Sequence, residues 1–209
     1  MMALAIEMQL PEDGLARNKP ALAYLIERAA AGDSAAFEQI MIHSQQRVMA
    51  MSWRVLGNEA DARDASQEVF LRVYKYLKRY DQSQDFFAWV YRITVNVCRD
   101  ILKQRRQRDR QFVPMEMDDD VLEIAAAHDD VEEALLSTQR RELIAEAIAT
   151  LPGKERASIV LRDVEGFSTE AVAQILQSSA TTVRSQISSA RKKITDYCRR
   201  ALAAPGSRK

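Results

Sequence analysis

Glycine, proline and cysteine are all scarce in this chain: six, five and two among 209 residues. So few glycines and prolines leave little material for the turns of a many-stranded protein, and abundant Ala, Leu, Glu, Arg and Gln favour helix. Cys98 and Cys198 are too few and too far apart for a disulfide framework or a metal ribbon, which points to reduced thiols in a cytoplasmic protein. His43 and His128 lack partners at ligand spacing, so no metal or other cofactor is expected. The opening MMALAIEMQLPEDG has no basic n-region and too short an apolar run for a signal peptide. No run approaches ~18 apolar residues, so no membrane insertion is expected. Paired carboxylates in a metal pattern, a phosphate-binding Gly loop and a nucleophile beside a base are all missing, so the chain is not expected to be an enzyme.

Charge of one sign is not in excess either: 30 basic and 30 acidic residues cancel. A zero balance argues against a polyanionic partner, but its distribution argues the other way. Residues 103–110 hold five basic residues and one acidic, Asp109. Residues 116–133 hold nine acidic and no basic ones, and 140–204 hold eleven basic against seven acidic. Charge segregated along a chain speaks of partners.

What is present is helical periodicity in two blocks. Residues 1–20, with Pro11, Gly14 and Pro20, read as a loose arm. A helix begins near Ala21 and ends at Gly32, with Asp33 or Ser34 capping the next. That next helix carries Phe37, Ile40, Met41, Ser44, Val48 and Met51 as a core stripe and ends near Gly57. A third starts about Asp61, with Val69, Val73 and Leu77 inward; DQSQD is a polar break. The fourth is FFAWVYRITVNVCRDILKQRRQRDR. The first block is 21–110, an acidic linker fills 111–130, a second helical block spans 131–204, and 205–209 are a tail. In the second block Leu135, Leu136, Leu143, Ile144, Ala147, Ile148 and Leu151 form a helix that stops at Pro152-Gly153. Another runs from about 154 to 164. The expected fold class is all-α, two helical domains on a flexible linker.

The fourth helix divides into two stripes. Phe86, Val90, Ile93, Val97 and Ile101 are core by spacing; Trp89, Arg92, Asn96, Arg99 and Lys103 lie on a neighbouring stripe. Aromatic, amide and cations together suit a single-strand platform, where stacking is worth roughly 1–3 kcal/mol per base. Arg105, Arg106, Arg108 and Arg110 extend its basic side. Further on, Ser168 is a plausible N-cap, Val172, Ala173 and Leu176 share a face, and Gln177-Ser178-Ser179 makes a short turn. Val183, Ile187, Ala190 and Ile194 then form the inner stripe of a second helix. This is helix-turn-helix spacing. The opposite face offers Thr182, Arg184, Ser185, Gln186, Ser188, Ser189, Arg191 and Lys192, chemistry suited to a major groove.

AAAGDSAAFEQI, DARDASQEVFLRVYKYL and FFAWVYRITVNVCRDILKQRR, followed by ATLPGKERASIVLRDVEGFSTEAVAQIL and TTVRSQISSARKKI, resemble the sigma-2 and sigma-4 domains of bacterial extracytoplasmic-function sigma factors. They occur in the family's order over about three quarters of the chain. The resemblance implies that 21–110 binds core RNA polymerase and a −10 element, and 131–204 a −35 element, with an anti-sigma factor as regulator. It assigns Asp61, Asp64, Gln67, Glu68, Phe70 and Arg72 to the polymerase. Joined to the single-strand platform read from the spacing, it makes Trp89, Arg92, Asn96, Arg99, Lys103, Arg105 and Arg106 the surface for the −10 strand, and it places Asn96 beside a flipped base. It assigns Thr181, Thr182, Arg184, Ser185, Gln186, Ser188, Ser189, Arg191 and Lys192 to the −35 element. The chain departs from the family pattern at Ala171, Gln177, Ser178, Thr181, Gln186 and Ser189. A helix-turn-helix repressor or activator on duplex DNA is the alternative, and it would have no need of a single-strand platform.

Overall fold

The computed structural model describes the backbone of residues 19–112 and 132–203, and the side chains of 20–107 and 139–203. Most of the expected arm, the acidic linker from 113 on, the tail, and the side chains of Leu135, Leu136, Arg108 and Arg110 lie outside the described residues. Every regular element among the described residues is helical. They fall into an N-terminal unit and a C-terminal unit.

The N-terminal unit holds α1 (Lys19–Ala30), α2 (Ser34–Leu56), α3 (Glu59–Tyr76) and α4 (Phe86–Phe112). Two boundaries differ from expectation. Helix starts at Lys19 rather than after Pro20, since proline is tolerated in a first turn. Helix α4 runs two residues past 110, into the segment expected to be linker. Asp33 caps α2 by accepting from Ala36 N at 3.1 Å, and its other oxygen takes Arg28 Nε at 2.8 Å. Gly57 ends α2 in the left-handed region, φ 67°. The cap of α3 is Asn58, which accepts from Asp61 N at 2.9 Å, so the helix begins two residues before Asp61.

Helix α2 is the hub of this unit, packing against α1, α3 and α4. Ile40, Ser44, Val48 and Met51 are buried as the periodicity requires, whereas Phe37 and Met41 are half-buried at its edge. Helix α4 buries a wider arc than one stripe. Phe86, Val90 and Val97 are in the core, but so are Phe87, Tyr91, Thr94, Val95 and Cys98, while Ile93 and Ile101 are only half-buried. The reason is that α4 packs against both α2 and α3.

The C-terminal unit holds α5 (Glu132–Ala149), α6 (Gly153–Ile159), α7 (Thr169–Leu176) and α8 (Ala180–Ala203). Helix α6 continues through a wider π-helical turn over Val160–Val164, closed by Glu165 N to Val160 O at 2.9 Å. All three shorter helices pack on α8. Val183, Ile187, Ala190 and Ile194 are buried, as are Val172, Ala173, Ile175 and Leu176. Arg156 closes the turn before α6 by donating to Leu151 O at 2.9 Å and to Ala149 O.

Candidate nucleic-acid interface

On α4, Arg92, Arg99, Lys103 and Arg106 are exposed, and Asn96 and Arg105 are half-buried. One outer strip of the helix therefore carries cations on either side of the Asn96 amide. Trp89 is half-buried and leans on Tyr80 and Phe86, with ring centroids 4.9 and 5.9 Å apart, so only part of its ring faces out.

The polar break before α4 is more built than its composition suggests. Asp81 accepts from Ser83 N at 2.9 Å and Gln84 Nε2 at 3.1 Å, and Asp85 caps α4 through Ala88 N at 2.9 Å. Tyr80 donates its hydroxyl to Gln84 O at 2.6 Å. Burial first, then the Asp85 and Asp81 carboxylates, push the Tyr80 phenol up to about 12, so it keeps that proton at ordinary pH. A cavity of about 450 Å³ opens here, lined by Tyr80, Gln84, Phe86, Phe87, Leu22 and Ile26. Sequence patterning missed it, because it joins α1 to a loop some sixty positions on.

On α3, Asp64 and Gln67 are exposed, and Asp61, Glu68, Phe70 and Arg72 are half-buried. Arg72 is not an open cation: it bonds Glu68 at 2.6 Å and reaches Asp100 of α4 at 3.4 Å. Its guanidinium pKa is raised first by the Glu68 hydrogen bond. Gln67 and Phe70 border an apolar groove of about 1130 Å³ between α2 and α3, walled by Phe37, Met41, Trp53 and Leu71. Exposed Ile42, Leu71 and Tyr74 add to it, Leu71 at 66% exposure. The half-buried state of Phe37 and Met41 is the signal periodicity alone read as core.

The turn between α7 and α8 has the expected length. Ser168 caps α7 through Ala171 N at 3.1 Å, so Ala171 supplies only its backbone. Gln177 adopts the left-handed conformation, φ 53° and ψ 49°, where glycine is at ease. Ser179 caps α8 through Thr182 N at 3.0 Å and also meets Thr182 Oγ1 at 2.7 Å, a cap the sequence reading did not assign.

The expectation of one open face on α8 is corrected. Thr181, Thr182, Ser185, Ser188 and Lys192 are exposed. Gln186 and Ser189 are half-buried and turned to α6: Ser158 donates to Gln186 Oε1 at 2.7 Å, and Ser189 to Glu155 at 3.1 Å. On the other flank Arg191 is exposed but held by Asp163, and Arg184 reaches Glu170 at 3.1 Å. The physical reason is that a helix packed into three neighbours leaves a narrow outer strip, and its flanks find partners.

Among the described residues no group of His, Cys, Asp and Glu could hold a metal, and no helix is long and apolar enough to cross a membrane.

Comparison with known proteins agrees with the architecture. The family model "Sigma-70 region 2" matches residues 41–108, and "Sigma-70, region 4" matches 141–194. The RNA polymerase sigma-H factor of Pseudomonas aeruginosa is 30% identical over 173 residues, 81% of this chain and 90% of that one. The ECF RNA polymerase sigma-E factor of Escherichia coli matches to the same extent. Among solved structures, CnrH in complex with the cytosolic domain of CnrY is 26% identical with a TM-score of 0.57, covering 84% of this chain and 96% of that one. RpoE of Bartonella quintana, solved with the anti-sigma factor NepR, is 20% identical with a TM-score of 0.60, covering 78% and 96%, and shares the fold. Two helical units in this order, with matches of that extent, place the chain in the extracytoplasmic-function sigma factors of the sigma-70 family.

Proposed function

We propose that the chain is a dissociable promoter-recognition subunit that acts in the cytoplasm, directing core RNA polymerase to a particular set of promoters. It is a binding regulator rather than an enzyme, and an anti-sigma factor holds it inactive until signalled. The N-terminal unit docks on the polymerase through α3 with Asp61, Asp64, Gln67, Glu68, Phe70 and Arg72, and through the apolar groove beside them. Helix α4 takes the −10 strand with Trp89, Arg92, Asn96, Arg99, Lys103, Arg105 and Arg106. The C-terminal unit reads the −35 element with the outer strip of α8.

The observation that carries this reading is the division of α4. Its inner arc buries Phe86, Val90, Tyr91, Val95 and Val97, yet its outer strip exposes Arg92, Arg99, Lys103 and Arg106 around a half-buried Asn96. A duplex-binding repressor needs a recognition helix only, whereas a melted strand needs an amide for a base edge and cations for its phosphates. Purified chain added to core polymerase should start transcription at defined sites on promoter DNA. Tight duplex binding by the chain alone, with no association with core polymerase, would refute this reading and favour a repressor.

A further inference from the structure

Two half-buried carboxylates stand on opposite flanks of α8. On one, Asp163 takes Nε and Nη2 of Arg191 at 2.9 and 2.7 Å. On the other, Glu155 takes Ser189 Oγ at 3.1 Å and Lys193 Nζ at 3.0 Å. Each carboxylate is 17% exposed, against 56% for Arg191 and 48% for Lys193. The partly desolvated side of each pair is thus the anion, and water screens these contacts less than ordinary surface pairs. The Arg184–Glu170 pair is mostly exposed on both sides and counts for little.

The geometry at Arg191 is bidentate along the Nε edge of the guanidinium. Only the far edge, formed by Nη1 and the second hydrogen of Nη2, is left for a ligand. A phosphate arriving there meets a cation already neutralised by a carboxylate a few ångströms behind it. That lowers attraction to every DNA sequence alike, because phosphate contacts carry no sequence information. Thr181, Ser185, Ser188 and Lys192 of the exposed strip take no part in these two pairs.

We propose that Asp163 and Glu155 are specificity-determining residues: they mask Arg191 and Lys193 from phosphates, so that α8 holds duplex DNA only where its outer strip finds the right bases. The inference rests on the reading of α8 as the −35 helix. It accounts for a recognition helix rich in hydroxyls yet flanked by neutralised cations.

Asp163→Asn tests it, since Asn keeps the size and one acceptor but removes the charge. Full chain with core polymerase is titrated against two labelled duplexes over a range of salt. One is a promoter selected by the wild-type protein; the other has its −35 segment scrambled. The variant should bind the scrambled duplex several-fold more tightly and lose several-fold in discrimination. Its log–log salt slope should steepen by about one, the value for one added phosphate contact. In an Arg191→Gln background the same substitution should no longer steepen the slope, and Asp163→Glu should restore discrimination. Unchanged slope and discrimination overturn the masking, and so does equal steepening in both backgrounds, which would mean simple long-range repulsion. If the wild-type protein does not distinguish the two duplexes, the −35 reading itself fails and the masking with it. Should Asp163→Asn not fold, Glu155→Gln carries the same expectations against Lys193.

Discussion

Ser158, fully buried on α6, donates its hydroxyl to Gln186 on α8 at 2.7 Å, across 28 positions of chain. A buried hydroxyl left without its partner costs about 1–3 kcal/mol. Gln186→Ala should therefore lower the unfolding free energy by about that amount while leaving the preferred −35 sequence unchanged. Gln186→Glu, which keeps an acceptor, should lose less. Thermal unfolding and promoter selection check the pair, and altered base preference without loss of stability would contradict it.

Gln177 sits where a side chain is strained. The left-handed conformation costs an L-residue roughly 1–2 kcal/mol relative to the right-handed one. Gln177→Gly should relieve part of that, offset by glycine's greater freedom when unfolded. A net stabilisation of about 0.5–1 kcal/mol is expected, read as a raised melting temperature.

Asn96→Ala removes an amide that is only half-buried, so the fold should survive. Promoter opening, read by permanganate reactivity of unpaired thymines, should fall about tenfold or more, the scale of one lost bidentate base contact. Core polymerase binding should stay within about twofold. Equal loss in both assays, with unfolding, would make Asn96 a structural residue only.

Leu71, at 66% exposure on the rim of the α2–α3 groove, contributes little to the interior. Leu71→Asp should change stability by less than about 0.5 kcal/mol. As an anchor at the polymerase contact it should weaken core binding by about 2 kcal/mol, roughly thirtyfold. Competition binding against the wild-type chain measures this; unchanged affinity would move the contact elsewhere on α3.

Cys98 is buried, and burial pushes its thiol up to about 12 from an ordinary 9.0. Below pH 9 both folded and unfolded forms hold the proton, and the group has no effect on stability. Between about 9 and 12 the unfolded chain releases it while the folded one must retain it, so stability falls as pH rises, by at most about 1.4 kcal/mol per pH unit. Cys98→Ala should flatten that part of the melting-temperature profile. Cys198, half-buried, should react with a thiol reagent first.

Local chemistry made much of this legible. Asp33 starts a helix and Gly57 stops it as their residue types require, and the buried stripe of α8 is the one its spacing of four, three and four describes. The breadth of the buried arc on α4 was not legible, because periodicity registers one neighbour and α4 has two. The partners of Gln186, Ser189 and Arg191 lie 28 to 34 positions away on α6 and its π turn, and no local pattern pairs them. Phe37 and Met41 looked like core because apolar spacing does not distinguish an interior from the wall of an open groove.

Contacts on both flanks of α8 have a mechanical consequence. Rolling the helix about its own axis would stretch the Arg191–Asp163 bonds while crowding Gln186 and Ser189 against Ser158 and Glu155, and the opposite roll would do the reverse. The helix is stayed from two sides like a mast. Any adjustment to a imperfect site must then come from deformation of the duplex, or from the whole C-terminal unit tilting as a body, and stiff DNA sequences should be refused even where their bases match.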